Sequence, residues 1–264
     1  MLRLAATLLA LSALLGAAPA RAALDAAACD RLKAAGVIKA GAPVRCDQLA
    51  VVRFSYVGFD GAIHDDGEII VMAAVAQPVR EIFDALRRRR FPLARARSIE
   101  HYRGDDAASM ADNNTSGFND RPLTGGGLPS LHAYGLAIDI NPLQNPYVAF
   151  DGDGIARYSP PQGARFANRL PRRPGKRCRP GMAEEVVDLF ARHGFTIWGG
   201  YWDAPLDYQH FQVDRKLAQR LARLPEAEAR ALLDRDRIRM NANARDNGES
   251  NFDAGKTCMP GKLQ

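Results

Sequence analysis

The chain opens with an apolar run from Leu4 to about Gly16, preceded by Arg3 and closed by the small-residue pattern Ala20-Arg21-Ala22. A membrane span needs about 20 apolar residues, so this shorter run reads as a secretory leader cleaved after Ala22. Residues 24–36 space their apolar positions helically until Gly36, Gly41 and Pro43 interrupt them. Beyond Cys46 the period changes. Val51 to Val57 alternates as a strand, Asp60-Gly61 supplies a turn, and Glu68 to Val75 forms the second strand of an antiparallel hairpin. Pro78 then opens a helix, PVREIFDALRRRR, which sets Val79, Ile82, Phe83 and Leu86 on one face and stops before Pro92.

From about Tyr102 to Pro129 the chain is polar and glycine-rich, and a loop of that length in a compact domain is either functional or disordered. Gly135 to Ile140 reads as a short strand, followed by an excursion rich in Pro and Arg that lasts until Pro180. MAEEVVDLFARHG forms a helix ending at Gly194, FTIWGG and DYQHFQV form strands, and one charged amphipathic helix runs from Arg215 to about Asp234. Strands and helices are grouped rather than alternating. The expected class is therefore α+β, a small antiparallel sheet flanked by helices. The expected organisation is a leader at 1–22, an N-terminal cysteine-containing extension at 23–50, a central domain at 51–214 and a C-terminal helix and tail at 215–264.

Charge and cysteine content narrow the setting. Lys and Arg number 36 against 30 Asp and Glu, an excess that shrinks once Arg3 and Arg21 leave with the leader. Arg87–Arg90 and the stretch Arg172 to Arg179 could attract nucleic acid or an anionic wall polymer. An exported chain makes nucleic acid a poor partner, and a solvated basic face is the plain alternative. Cys29, Cys46, Cys178 and Cys258 all lie beyond the leader, an even count that fits two disulfides in an oxidising compartment. Three pairings are open; we expect Cys29 with Cys46, leaving Cys178 to hold the tail through Cys258. No C-x-x-C pair favours a zinc knuckle.

The chemistry concentrates in two segments. SLHAYGLAIDINP places His132 on a turn just before a strand carrying Asp139, with Ile138 and Ile140 facing the opposite way. WGGYWDAPLDYQHFQV places Asp207 three residues before His210. Zinc favours imidazole nitrogen and carboxylate oxygen in a tetrahedral site, and a hydrolytic site keeps one corner free for water. His132, Asp139 and His210 supply three such ligands, and Asp207 is left to act as the base. There is no H-E-x-x-H helix and no G-x-S-x-G elbow, and Gly255-Lys256-Thr257 lacks its P-loop glycine because position 250 is Ser250.

Together the two segments resemble the zinc D-alanyl-D-alanine carboxypeptidase family, which includes VanY-type carboxypeptidases, VanX-type dipeptidases and phage endolysin L-alanyl-D-glutamate peptidases. Its pattern S-x-H-x-x-G-x-A-x-D, followed far downstream by [DE]-x-x-H-F, is met at Ser130, His132, Gly135, Ala137, Asp139, Asp207, His210 and Phe211. NNTSGFNDR resembles the segment that brings a substrate-binding arginine, which makes Arg121 that residue, with Arg103 as competitor. The resemblance runs from about Val51 to Val213. It implies a zinc (Zn2+) site in a cleft over the sheet and a secreted or periplasmic peptidase without stable membrane insertion after leader cleavage. The implied substrates are D-amino-acid peptide bonds of peptidoglycan stem peptides, cut by a D,D-carboxypeptidase. An L,D-type endopeptidase and a catalytically silent, zinc-containing wall-binding module are the alternatives. Ser130 is a substrate contact, a support for the site or a turn hydroxyl. Trp198 and Trp202 either wall the cleft or pack in the core. His64, His101 and His193 are expected at the surface or in packing, His193 against a helix dipole.

Overall fold

The computed structural model describes residues 23–170 and 172–246; the expected leader, Cys258 and the tail beyond 246 lie outside the described residues. Helix α1 (Ala26–Ala34) is capped by Asp25, whose carboxylate accepts from the Ala28 N–H at 2.7 Å. The helix is cross-linked by the expected Cys29–Cys46 disulfide. Cys178 is also disulfide-bonded.

Strands β1 (Leu49–Gly58) and β2 (Ile63–Met72) form the expected antiparallel hairpin. Val52, Phe54 and Tyr56 turn their side chains into the core at every second position. Helix α2 (Ala76–Arg88) covers that face with Val79, Ile82, Phe83 and Leu86, and the Phe54 and Phe83 rings stack at 3.8 Å. The helix starts two residues before Pro78 because a 3-10 turn, Ala73–Val75, runs straight into it. Pro78 thus sits in the first turn, where a missing N–H costs nothing.

Strand β3 (Pro92–Leu93) adds to β1 in parallel, and β4 (Arg95–Ala96) pairs in parallel with β5 (Asn114–Thr115). Between these last two lies α3 (Asp106–Ala111). The segment expected to be irregular is therefore partly regular. Side-chain hydrogen bonds order it: Asp105 caps α3, and the Asn114 amide donates to the Arg97 carbonyl and to Ser109 Oγ. Such contacts leave no apolar period to read.

The half that carries the two motif segments is built from very short strands: β6 (Ala137–Asp139), β7 (Tyr147–Phe150), β8 (Ala156–Ser159), β9 (Ile197–Trp198), β10 (Leu206–Asp207) and β11 (His210–Gln212). They form two antiparallel sheets of order β6-β11-β9 and β10-β7-β8. The class is α+β as expected, but among the described residues the small sheet is distributed over three three-stranded sheets and a two-stranded one. The excursion after Asn145 supplies β7 and β8. Helix α4 (Val187–Arg192) is shorter than expected, its first turn being the 3-10 segment Ala183–Glu185.

The C-terminal helix is two, α5 (Arg215–Leu221) and α6 (Glu226–Asp246). Pro225 disfavours helical geometry at Leu224, so the chain turns a corner there. Leu217 and Leu221 from α5 and Leu232 and Leu233 from α6 join one hydrophobic cluster that also takes in Leu24 and Leu32. No helix of the described residues is long and apolar enough to cross a membrane.

Candidate metal centre

Each candidate ligand is placed by a local feature of the backbone. His132 lies on a 3-10 turn, Leu131–Tyr134, whose N-cap is Ser130. That turn ends at Gly135 with φ +66°, and a Cβ there would sit 2.5 Å from the Met72 nitrogen. Glycine lets the end of β2 dock on the turn, with the Met72 N–H donating to the Gly135 carbonyl at 2.8 Å. Asp139 and His210 are register partners on β6 and β11. Directly opposed residues of an antiparallel pair project to one face with Cβ atoms about 5 Å apart, so their side chains must meet.

They meet with His132 in a buried triangle. Asp139 Oδ1 is 2.9 Å from His210 Nδ1, Asp139 Oδ2 is 3.2 Å from His132 Nε2, and the two ring nitrogens are 3.1 Å apart. The three residues are at most 6% exposed. Asp139 is enclosed, with Ser116 bridging β6 on the side away from β11. The rear nitrogens are both engaged: His132 Nδ1 lies 2.6 Å from the Gly117 carbonyl and His210 Nε2 lies 2.8 Å from Gln212 Oε1. Both acceptors call for N–H on the rear nitrogen, which turns the two front lone pairs toward each other. That arrangement is repulsive unless a cation or proton lies between them.

A divalent metal satisfies it. Nitrogen and oxygen ligands about 2.0–2.1 Å from a tetrahedral zinc lie roughly 3.3 Å apart, close to the edges of this triangle. The donor set is two neutral imidazoles and one carboxylate. Burial alone would raise the Asp139 carboxyl, yet the adjoining His132 and His210 hold it well below the usual carboxylate range. Burial would likewise lower the His210 imidazole, but Asp139 and Asp207 raise it to about 9. The cluster attracts positive charge strongly, as a metal site must.

Asp207 stands beside it on the other sheet. β10 and β11 are separated only by Tyr208 and Gln209. Its Oδ1 is buried without a hydrogen-bond partner, and burial followed by the charge of Asp139 pushes its carboxyl up to about 7. A Cβ on Gly199 would lie 2.5 Å from the Asp207 carbonyl oxygen and 2.8 Å from its Cβ, so glycine there lets the chain press against the strand that carries Asp207.

Residues 124–213 match the family model described as D-alanyl-D-alanine carboxypeptidase. This segment belongs to that family. It contains His132, Asp139, Asp207 and His210 but stops short of Arg121 and of the β1–β2 hairpin, so the match is narrower than the resemblance beginning near Val51. Comparison with curated proteins and with solved structures finds no match for the chain.

The remaining carboxypeptidase-motif candidates have mixed surroundings. Arg121 lies close enough to Asp207 and Tyr147 for its charge to act on both, and it pairs with Asp106 at 3.1 Å while its Nε is buried without a partner. Arg103 is exposed, in a left-handed position that ends the 3-10 turn Ile99–Tyr102. The Ser130 hydroxyl accepts from the His132 N–H at 3.3 Å, which holds the turn. The tryptophans divide: Trp198 is buried and donates to the Tyr208 carbonyl at 2.9 Å, whereas Trp202 leans on His210 with ring centroids 5.5 Å apart. His64 pairs with Asp60 at the surface, His101 is exposed, and His193 closes α4 with Nδ1 2.7 Å from the Leu189 carbonyl. The sequence reading missed Gln212, Gly117 and Tyr147. Only Gln212 carried a signal, since a residue two after His210 on a strand shares its face. Tyr147 faces Asp207 through the β7–β10 register, which sequence does not encode locally.

Proposed function

We propose that the chain is an exported zinc metallopeptidase that hydrolyses D-amino-acid peptide bonds of peptidoglycan stem peptides, as a D,D-carboxypeptidase. The observation that carries this reading is the buried triangle of His132 Nε2, His210 Nδ1 and the Asp139 carboxylate, with the unpartnered carboxylate oxygen of Asp207 beside it. Zinc held by the triangle would act as a Lewis acid that makes water nucleophilic near neutral pH and polarises the scissile carbonyl. Asp207 takes the proton from that water and returns it to the departing amine. Arg121 binds the free carboxylate of the substrate through its planar fork. Ser130 supports His132 from behind the turn, and Trp202 walls the cleft. The Cys29–Cys46 disulfide and the secretory pattern of residues 1–22 support export.

Incubating the purified protein with defined stem peptides, with and without a chelator, and weighing the products tests the proposal. Release of terminal D-Ala that stops on chelation is expected. A cut inside the stem would make it an endopeptidase, and intact peptides after zinc loading would leave only a wall-binding role.

A further inference from the structure

The segment from Ile155 to Met182 contains no Asp or Glu, yet carries Arg157, Arg165, Arg169, Arg172, Arg173, Lys176, Arg177 and Arg179. Two of these are matched from outside it: Arg157 by Asp151 and Arg169 by Glu184, both at 2.7 Å. Arg165, Arg173, Lys176, Arg177 and Arg179 have no ion pair within the described residues. Arg165 and Arg179 both stack on Phe166, at 5.2 and 5.4 Å from its centroid, which packs the cations together. The crowding is felt: burial, then repulsion from Arg173 and Arg169, lowers the Arg179 guanidinium. Arg173 adds a buried Nε with no hydrogen-bond partner.

This strap is also joined to the catalytic strand. Arg169 lies 4.3 Å over the Tyr208 ring, next to Asp207, and is fixed by the Gln144 carbonyl and Asn145 Oδ1. We propose that the strap is a second, non-catalytic docking surface for the acidic polymer of the wall, binding the free carboxylates of stem peptides adjacent to the one being cut. Guanidinium forks match carboxylates in pairs, and a row of them gathers a polyanion at modest cost in specificity. The proposal rests on the peptidase reading for its choice of polymer, but it is tested by binding alone.

The experiment measures retention of the full chain on insoluble peptidoglycan sacculi stripped of protein and accessory polymers, using the Asp207→Asn form so that nothing is cut. Retention should fall steeply with added salt and vanish on sacculi whose carboxylates have been amidated. The double variant Lys176→Glu with Arg177→Glu, both exposed, should lose about tenfold or more in retention. Against a short soluble stem peptide, the same double variant in the otherwise unmodified enzyme should keep its activity. Arg165→Glu, elsewhere on the strap, should act in the same direction, and unchanged thermal unfolding excludes misfolding as the cause. Equal retention of variant and parent would overturn the docking surface, as would binding to amidated sacculi. Tighter, equally salt-dependent binding to duplex DNA that the same substitutions abolish would also overturn it. Failure of the unmodified enzyme to cut the soluble peptide would instead count against the peptidase reading.

Discussion

Under the proposed function, Asp207 is the residue whose loss tests turnover most directly, since it is a carboxylate near the triangle that holds no position in it. Asp207→Asn should retain stoichiometric zinc, measured by elemental analysis, and lose about 10²–10⁴-fold in kcat/KM. Burial and Asp139 push its pKa to about 7, and a bound divalent cation would pull it back down. A base works only when deprotonated, so kcat/KM should rise with pH through a midpoint below 7 and be lost on acidification. A profile flat from roughly pH 5 to 8 would remove Asp207 from that role. His193 makes a separate statement about stability. Burial lowers its imidazole below the ordinary 6.5 despite the Leu189 carbonyl and Glu81 beside it. As pH falls through 6.5, the unfolded chain takes up that proton first, so folding stability drains away in that window and is restored above it. His193→Gln should flatten the acid side of a stability–pH curve measured by urea unfolding.

At the scale of elements, the site is a meeting of short strands. Gly199 is where packing between segments fixes the position of Asp207. An added methyl would strike the Asp207 backbone at 2.5 Å, and strand β10 would have to shift. Gly199→Ala should lower kcat/KM on the order of 100-fold at unchanged zinc content, because small displacements of a reacting group cost that much. The same scale explains what the sequence disclosed. Val52, Phe54 and Phe83 announce the hairpin and its helix because apolar period and burial coincide there. His132, Asp139, Asp207 and His210 were legible through spacing within two local segments. The β10-β7-β8 sheet was not, because its partners are joined by a pairing across a long excursion with no apolar period of its own. The corner at Pro225 was also passed over, since the charged pattern of α5 continues into α6 without a change of period.

At the scale of the whole molecule, two devices lie wholly within the described residues and tie separate parts together. The Cys29–Cys46 bond closes a separation of 17 residues. Replacing both cysteines by serine should cost about 3 kcal/mol, read as a lower urea midpoint at unchanged slope. The candidate metal centre is the other tie, because His132, Asp139 and His210 come from a turn and two strands that face one another only in the folded state. Zinc should raise Tm in a concentration-dependent way, by about 2.7 kcal/mol of stability at a hundredfold excess over Kd, and a chelator should reverse the gain. His210→Ala should abolish the response.

The separation of Asp207 from the triangle has a further meaning. The sheet that carries Asp139 and His210 is distinct from the sheet that carries Asp207, and Tyr208 and Gln209 are the shortest link between them. If the proposed function holds, a ligand that displaced this link would move Asp207 while leaving the triangle of His132, Asp139 and His210 intact.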